Sequence, residues 1–143
     1  MDEISLQNAS TGKIILGLDP GRDKCGVAVM NDRSLIICHQ VVDSDKAIAK
    51  IVQLIRQHDV NSIVIGDGTT SKIWQQQINS AIPSMTITVV NEANSTLEAR
   101  ERYWTMYPPT KLQRLIPRSL LVPPRPVDDI VAILLIERYL ALN

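Results

Sequence analysis

Three acidic residues of the 143-residue chain stand where apolar segments begin or end. Asp19 ends the run IILGLD, Glu92 follows TITVVN, and Asp128 lies at the start of VDDIVAILL. Taken alone, Asp19 could be the turn former of DPG, Glu92 a solvated strand end, and Asp128 a helix cap. Their oxygen atoms are nevertheless the ligands that Mg²⁺ and Mn²⁺ prefer, so the three residues together are candidates for a metal site.

The chemistry open to such a cluster follows from its charge. Ionised carboxylates that share one place repel each other, and a divalent cation between them relieves that repulsion. Two such ions about 3.5–4 Å apart can activate water and stabilise the leaving oxygen of a phosphodiester. A further acid, Asp67, stands beside Gly68 and is interpreted as a loop former rather than a ligand.

The elements that must position these residues are readable from hydrophobic patterning. Apolar runs predict five strands, at residues 13–19, 25–30, 35–42, 62–66 and 85–90. Helical stripes and capping signals predict four helices: from Asp43 or Ser44 to near His58, at 72–82, from 95 to about 106, and at 128–142. The tetrapeptide STLE, at 95–98, is interpreted as a capping box that opens the third helix.

The order of these elements predicts an α/β fold. Short connections make the first three strands an antiparallel meander, and the later strand–helix alternation predicts parallel crossovers. The expected product is a mixed five-stranded sheet with helices on both faces, in which the first, fourth and fifth strands are parallel. Ligands bind at the carboxyl ends of parallel strands, so Asp19, Asp67 and Glu92 are expected near the same edge.

Composition sets the broad class. The chain has 15 basic and 15 acidic residues, is 45% hydrophobic and lacks Phe, so its core must be aliphatic. The N-terminus is polar, and no apolar run reaches the roughly 18 residues of a membrane span. We therefore expect a cytoplasmic protein with no membrane contact, a flexible tail at 1–12 and a single domain at 13–143. Cys25 and Cys38 are interpreted as reduced thiols.

Local positive charge accompanies the acidic cluster. Residues 102–127 form a proline-rich segment without any acid, although the chain as a whole is neutral. Phosphate backbones bind such patches through counterion release, whereas the alternative is an ordinary solvated loop. The candidate phosphate contacts in this segment and beside Asp19 are Arg22, Lys24, Lys111, Arg114, Arg118 and Arg125. The aromatic residues are expected mostly to pack rather than to stack on bases.

Four segments resemble a known family in the same order along the chain. They are ILGLDPGRDKCGVAV, IVIG followed by DGTTS, NEANSTLEAR, and VDDIVAILLIERYL, and they are similar to segments of the YqgF family and of RuvC-like resolvases. The resemblance implies an RNase H-like fold and a nuclease that resolves Holliday junctions or matures the 5′ end of pre-16S rRNA. It implies that Asp19, Glu92 and Asp128 are the catalytic residues and hold Mg²⁺ or Mn²⁺. Helical periodicity alone, with Glu137 and Arg138 marking the wet face, does not choose between Asp128 and Asp129.

The chain also departs from the family pattern. Asn91 and Ala93 stand where the family has Asp and Arg, and the loop GDGTTS is shorter. The first hypothesis is a nuclease acting on RNA or branched DNA as a monomer or homodimer. The second is a non-catalytic nucleic-acid-binding module on the same fold. A phosphotransfer domain is the third, because LDPG and GDGTT are similar to the phosphate loops of actin-like kinases, which require a second domain.

Overall fold

Five strands and four helices follow one another in the predicted order in the computed structural model, which describes residues 12–142. The strands are β1 (Ile14–Asp19), β2 (Lys24–Asn31), β3 (Ile36–Asp43), β4 (Ser62–Gly66) and β5 (Thr86–Val90). The helices are α1 (Ala47–His58), α2 (Ser71–Ala81), α3 (Ser95–Met106) and α4 (Asp128–Ala141). All but the last residue of the predicted tail lie outside the described residues.

The sheet has the predicted mixed topology. Its strand order is β3-β2-β1-β4-β5, with β2 antiparallel to both neighbours and β1, β4 and β5 parallel. Leu18 pairs with Ile65, and Gly66 pairs with Val90. The carboxyl ends of the three parallel strands therefore lie level with one another at a single edge of the sheet.

Helices cover both faces of the sheet, as predicted, and two helices lie on each face. Leu16 and Leu18 point toward a cluster with Ile51 of α1 and Trp74 of α2. Their neighbour Ile15 points to the opposite face, toward a cluster made largely by α4 and α3. This alternation with a period of two residues lets the aliphatic strands contribute to two separate cores.

The helix α4 is buried on nearly all sides, because it lies between the sheet and α3. All residues from Asp129 to Ile136 are buried. Two glycines let it approach the strands directly: a Cβ at Gly17 would overlap the backbone of Ala132, and a Cβ at Gly26 would overlap that of Asp128. The close approach fixes where α4 begins relative to β1 and β2.

Some local predictions need correction. The prediction of a capping box at 95–98 is wrong. Asn94, in the left-handed conformation, precedes α3, and no side chain forms a capping hydrogen bond with the helix. The segment after α3 has two short 3-10 turns, Gln113–Leu115 and Arg118–Leu120. Both cysteines are free, as predicted. Among residues 12–142, no helix has the length and hydropathy needed to cross a membrane.

Candidate active site

Asp19 and Asp128 meet at the carboxyl edge of the sheet. Asp19 pairs with Gly26 across β1 and β2, and the backbone of Asp128 lies directly over Gly26. The two carboxyl groups consequently lie within hydrogen-bonding distance of each other. They line an open cleft of about 460 Å³ together with Glu92 and the first residues of α3.

This crowding changes the protonation of both groups. Burial, followed by the charges of Asp128 and Glu92, raises the pKa of Asp19 from 3.8 to about 8. Burial and the charge of Asp129 also raise the pKa of Asp128, while its hydrogen bond with Asp19 lowers it. Because both pKa values are raised and the two groups are hydrogen-bonded, the pair shares a proton. At neutral pH the pair therefore carries less than two negative charges unless a cation is present.

Glu92 lies across the same cleft, in the turn between β5 and α3. Its carboxylate rests against Gly66 and Gly68, where any Cβ would overlap one of its oxygen atoms. The Glu92 amide donates a hydrogen bond to Oδ1 of Asp67 (3.1 Å). Burial and the charge of Asp67 raise the pKa of Glu92, and the charge of Arg138 lowers it. Asp67 thus supports the Glu92 turn, in keeping with its interpretation as a loop residue.

Arg138, on α4, holds the Glu92 turn from the other side. Its guanidinium donates to the carbonyl of Asn91 (2.7 Å) and to that of Ala93 (2.9 Å), and it forms an ion pair with Glu98 of α3. The two carbonyls flank Glu92, so Arg138 clamps the peptide that carries the candidate carboxylate. The sequence did not reveal this role, because it identified Arg138 only as part of a solvent-facing stripe.

That interpretation of the α4 surface is corrected by the structure. Glu137 accepts two hydrogen bonds from Arg102 of α3, at 2.9 and 2.6 Å, and Arg138 contacts the Glu92 turn. The face predicted to be wet therefore packs against α3 and its preceding turn. The helical periodicity gave the wrong answer because charged residues that form ion pairs between two helices produce the same sequence pattern as charged residues that face solvent.

The structure distinguishes Asp128 from Asp129. Asp129 is 2% exposed and turns away from the cleft toward Arg125 and His39. Arg125 donates two hydrogen bonds to it (2.9 and 3.3 Å), and Nδ1 of His39 lies 2.6 Å from Oδ2. Burial tends to raise the pKa of Asp129, but these hydrogen bonds hold it below its usual value. Asp129 is an ionised anchor, while Asp128 faces the cleft.

The side chains that line the cleft are suited to a hard divalent cation, because their candidate ligand atoms are all carboxylate oxygens. Two of these carboxyl groups, those of Asp19 and Asp128, already share a proton, which a cation could replace. Asp19 and Asp128 are in contact, and Glu92 lies farther off against the glycine loop. In the part of the chain that the structure describes, no three His, Cys, Asp or Glu side chains are close enough to hold one ion. The pair would therefore be the first ligands, and Glu92 would have to approach it.

The predicted phosphate contacts divide into two groups. Lys24 is paired with Asp43, and Arg125 is held by Asp129 and by the rings of Tyr103 and Tyr107. Within residues 12–142, the others are exposed and have no ion pair. These free cations are Arg22, Lys111, Arg114 and Arg118. Arg125 thus has a structural role in this conformation, and its assignment as a direct phosphate contact stays a prediction.

The aromatic side chains mostly pack, as expected. Trp74, in the core with α1, is 8% exposed, and Trp104, on α3, is 6% exposed. Tyr103 and Tyr107 lie against each other and against the guanidinium of Arg125. Together with Asp129, they tie the proline-rich segment to the start of α4.

Comparison with known proteins places this architecture in a family. The model of the Tex protein YqgF-like domain matches residues 13–103, which include Asp19 and Glu92 and end before α4. The uncharacterized protein YdcI of Bacillus subtilis (strain 168) is 30% identical over 107 residues, covering 66% of this chain. The chain spans only 15% of that curated relative.

Solved structures agree on the fold. The structure of Thermus thermophilus RuvC has a TM-score of 0.53 at 12% identity, with 85% of this chain and 90% of RuvC covered. The same protein in complex with a Holliday junction substrate has a TM-score of 0.51 at 13% identity, covering 86% and 89%. The fold is therefore the RNase H-like fold of RuvC, and the chain belongs to the Tex protein YqgF-like domain family.

Proposed function

We propose that the protein is a divalent-metal-dependent nuclease that hydrolyses phosphodiester bonds in structured nucleic acid. The observation that carries this proposal is the contact between Asp19 and Asp128 in an open cleft that Glu92 also lines. A cleft at the carboxyl ends of parallel strands is where an α/β sheet binds ligands. Exposed cations on the neighbouring proline-rich segment favour a polyanionic substrate.

Asp19, Asp128 and Glu92 would hold Mg²⁺ or Mn²⁺, which supplies an activated water and charge stabilisation at the phosphate. The chain's own residues prepare this site. Asp19 must release the proton that it shares with Asp128, so cation binding and deprotonation are coupled. Arg138 and Asp67 hold the peptide of Glu92. Asp129 keeps Arg125 close to the cleft without occupying it.

The substrate class is proposed from two independent similarities. One solved structure of the same fold is RuvC in complex with a Holliday junction substrate, and the YqgF family resemblance suggests a precursor of 16S rRNA. Branched DNA and structured RNA are therefore the substrates to compare. Symmetric cleavage of a junction would require a homodimer, whereas trimming of an RNA end needs only a monomer.

The test is a cleavage assay on a four-way DNA junction and an rRNA precursor with Mg²⁺ or Mn²⁺. We expect D19N to lower the cleavage rate at least about a hundredfold, because it removes a charged ligand from the reacting centre. The matched control is D45N, which neutralises an exposed aspartate in the 3-10 turn before α1. Equal cleavage by the D19N variant and the wild type would rule out the assigned site.

The second candidate is a nucleic-acid-binding module without turnover. Two observations favour it: no three candidate ligands converge within residues 12–142, and Ala93 stands where the family has an arginine. This function predicts binding of the same substrates with no cleavage, and no heat of Mg²⁺ or Mn²⁺ binding in titration calorimetry. Metal-dependent product formation would exclude it.

A further inference from the structure

A continuous groove leaves the candidate active site along one side of α3. The acidic cleft shares Thr96 and Asp128 with a second depression, which shares Arg100 and Val122 with a third. Thr96, Arg100 and Trp104 follow one another at helical spacing, so this path spans about 12 Å of helix. We call it the α3 groove and define it by Thr96, Leu97, Arg100, Arg118, Leu121 and Val122.

The charges along the α3 groove favour an anionic occupant. Arg100 and Arg118 are exposed, and their side chains have neither a hydrogen bond nor an ion pair within residues 12–142. Of the two acids that line the same cavity, Glu98 is neutralised by its ion pair with Arg138, and Glu101 remains. The opposite wall comes from the proline-rich segment, which has no acidic residue.

Apolar side chains line the same cavity as the two arginines. Leu97 is 61% exposed and Val122 is 68% exposed, so the groove presents apolar walls to the solvent. An occupant that matches the groove thus has negative charges and apolar faces.

We propose that the α3 groove binds a single-stranded segment of nucleic acid and guides it into the acidic cleft. A single strand exposes both its phosphates and its base faces, whereas a duplex hides the base faces in its stack. Arg100 and Arg118 contact phosphates, and Leu97 and Val122 contact bases. This inference rests on the proposed function, because the strand leaves the groove at Asp128. It assigns to Arg100 a role that charge patterning along the sequence did not suggest.

The experiment measures fluorescence anisotropy of a labelled single-stranded oligonucleotide with the full chain in EDTA, so that binding is separated from cleavage. We expect the R100Q/R118Q variant to bind about tenfold more weakly at low salt. The slope of log affinity against log salt should decrease by about 1.4, since each phosphate contact on a single strand contributes about 0.7. R56Q, which removes an exposed cation from α1 on the other face of the sheet, is the matched control.

Three results would overturn the inference. The first is unchanged binding by R100Q/R118Q, with the fold verified by circular dichroism. The second is equal affinity for a blunt duplex and for the single strand. The third is competition by polyglutamate that is as strong as competition by unlabelled oligonucleotide, which would indicate an acidic peptide instead. If the single strand binds through the two arginines but no substrate is cleaved in the presence of metal, the proposed nuclease activity is rejected, whereas the proposed binding of a single strand in the α3 groove is retained.

Discussion

Two neighbouring aspartates show how strongly local partners decide the chemistry of one residue type. Asp128 faces another carboxyl, and its pKa is raised by burial and by the charge of Asp129. Asp129 faces Arg125 and His39, and its pKa is lowered although it is more deeply buried. A one-residue step on α4 thus separates a candidate metal ligand from a structural anchor. The anchor is balanced by Arg125 and His39 of the chain itself, whereas the Asp19–Asp128 pair is held by a shared proton.

The proton on Asp19 has a measurable effect on stability. The native pKa of about 8 exceeds the unfolded value of 3.8, so between these pH values the native state holds a proton that the unfolded state has lost. Stability therefore decreases as the pH rises through this window. The asparagine of D19N has no proton to lose, so this loss of stability should be absent from the variant. We therefore expect the unfolding free energy of D19N minus that of the wild type to be roughly 2 kcal/mol larger at pH 8 than at pH 5, after a discount for solvent access.

Urea unfolding in metal-free buffer at a series of pH values measures this difference. D45N provides the baseline, since Asp45 is exposed and lies in the 3-10 turn before α1. A difference between D19N and wild type that stays constant from pH 5 to pH 8 would show that Asp19 is not protonated in the native state.

At the scale of elements, close contact between a helix and a sheet builds the cleft. Gly17 and Gly26 let α4 lie against β1 and β2, and this contact brings Asp128 beside Asp19. Gly66 and Gly68 have a different role, since the atoms that approach them belong to the side chain of Glu92. Glycine therefore contributes to the site in two ways: at two positions it leaves room for the backbone of α4, and at two others it leaves room for the side chain of Glu92.

Alanine substitutions should separate these two roles. In G26A the new Cβ overlaps the backbone of Asp128, which cannot move without shifting α4, so we expect a loss of about 2–3 kcal/mol in unfolding free energy. In G68A the overlap involves only the flexible end of Glu92, so the expected loss is under about 1 kcal/mol. Urea unfolding followed by tryptophan fluorescence measures both, and comparable losses would contradict this account.

The elements themselves were largely predictable, because apolar runs and stripes reflect burial directly. Strand β4 was predicted with its observed bounds, and the level ends of the parallel strands follow from topology. The choice between Asp128 and Asp129 was not predictable from periodicity, since it depends on how α4 is rotated over Gly26. The hydrogen bonds from Arg138 to the turn that carries Glu92 join segments far apart in sequence, and no local pattern encodes them. The same holds for the packing of the Arg125 side chain between Asp129 and two tyrosine rings.

At the scale of the whole molecule, the cleft joins parts of the chain that are far apart in sequence. Asp19 belongs to the end of β1, Glu92 to the turn before α3, and Asp128 to the start of α4. A cation held by these residues would cross-link the central strand, an edge turn and the most buried helix. Because such a cation binds only the folded chain, it should raise the stability of the entire fold rather than of one loop.

The expected result is a metal-dependent melting temperature. At pH 8, Mg²⁺ or Mn²⁺ at about ten times its Kd should raise the Tm of the wild type by about 5 °C. The rise should be smaller at pH 6, where the proton on Asp19 competes with the cation. Differential scanning fluorimetry against NaCl of equal ionic strength measures the effect, and D19N should abolish most of it. A full rise in D19N would place the bound cation elsewhere on the molecule.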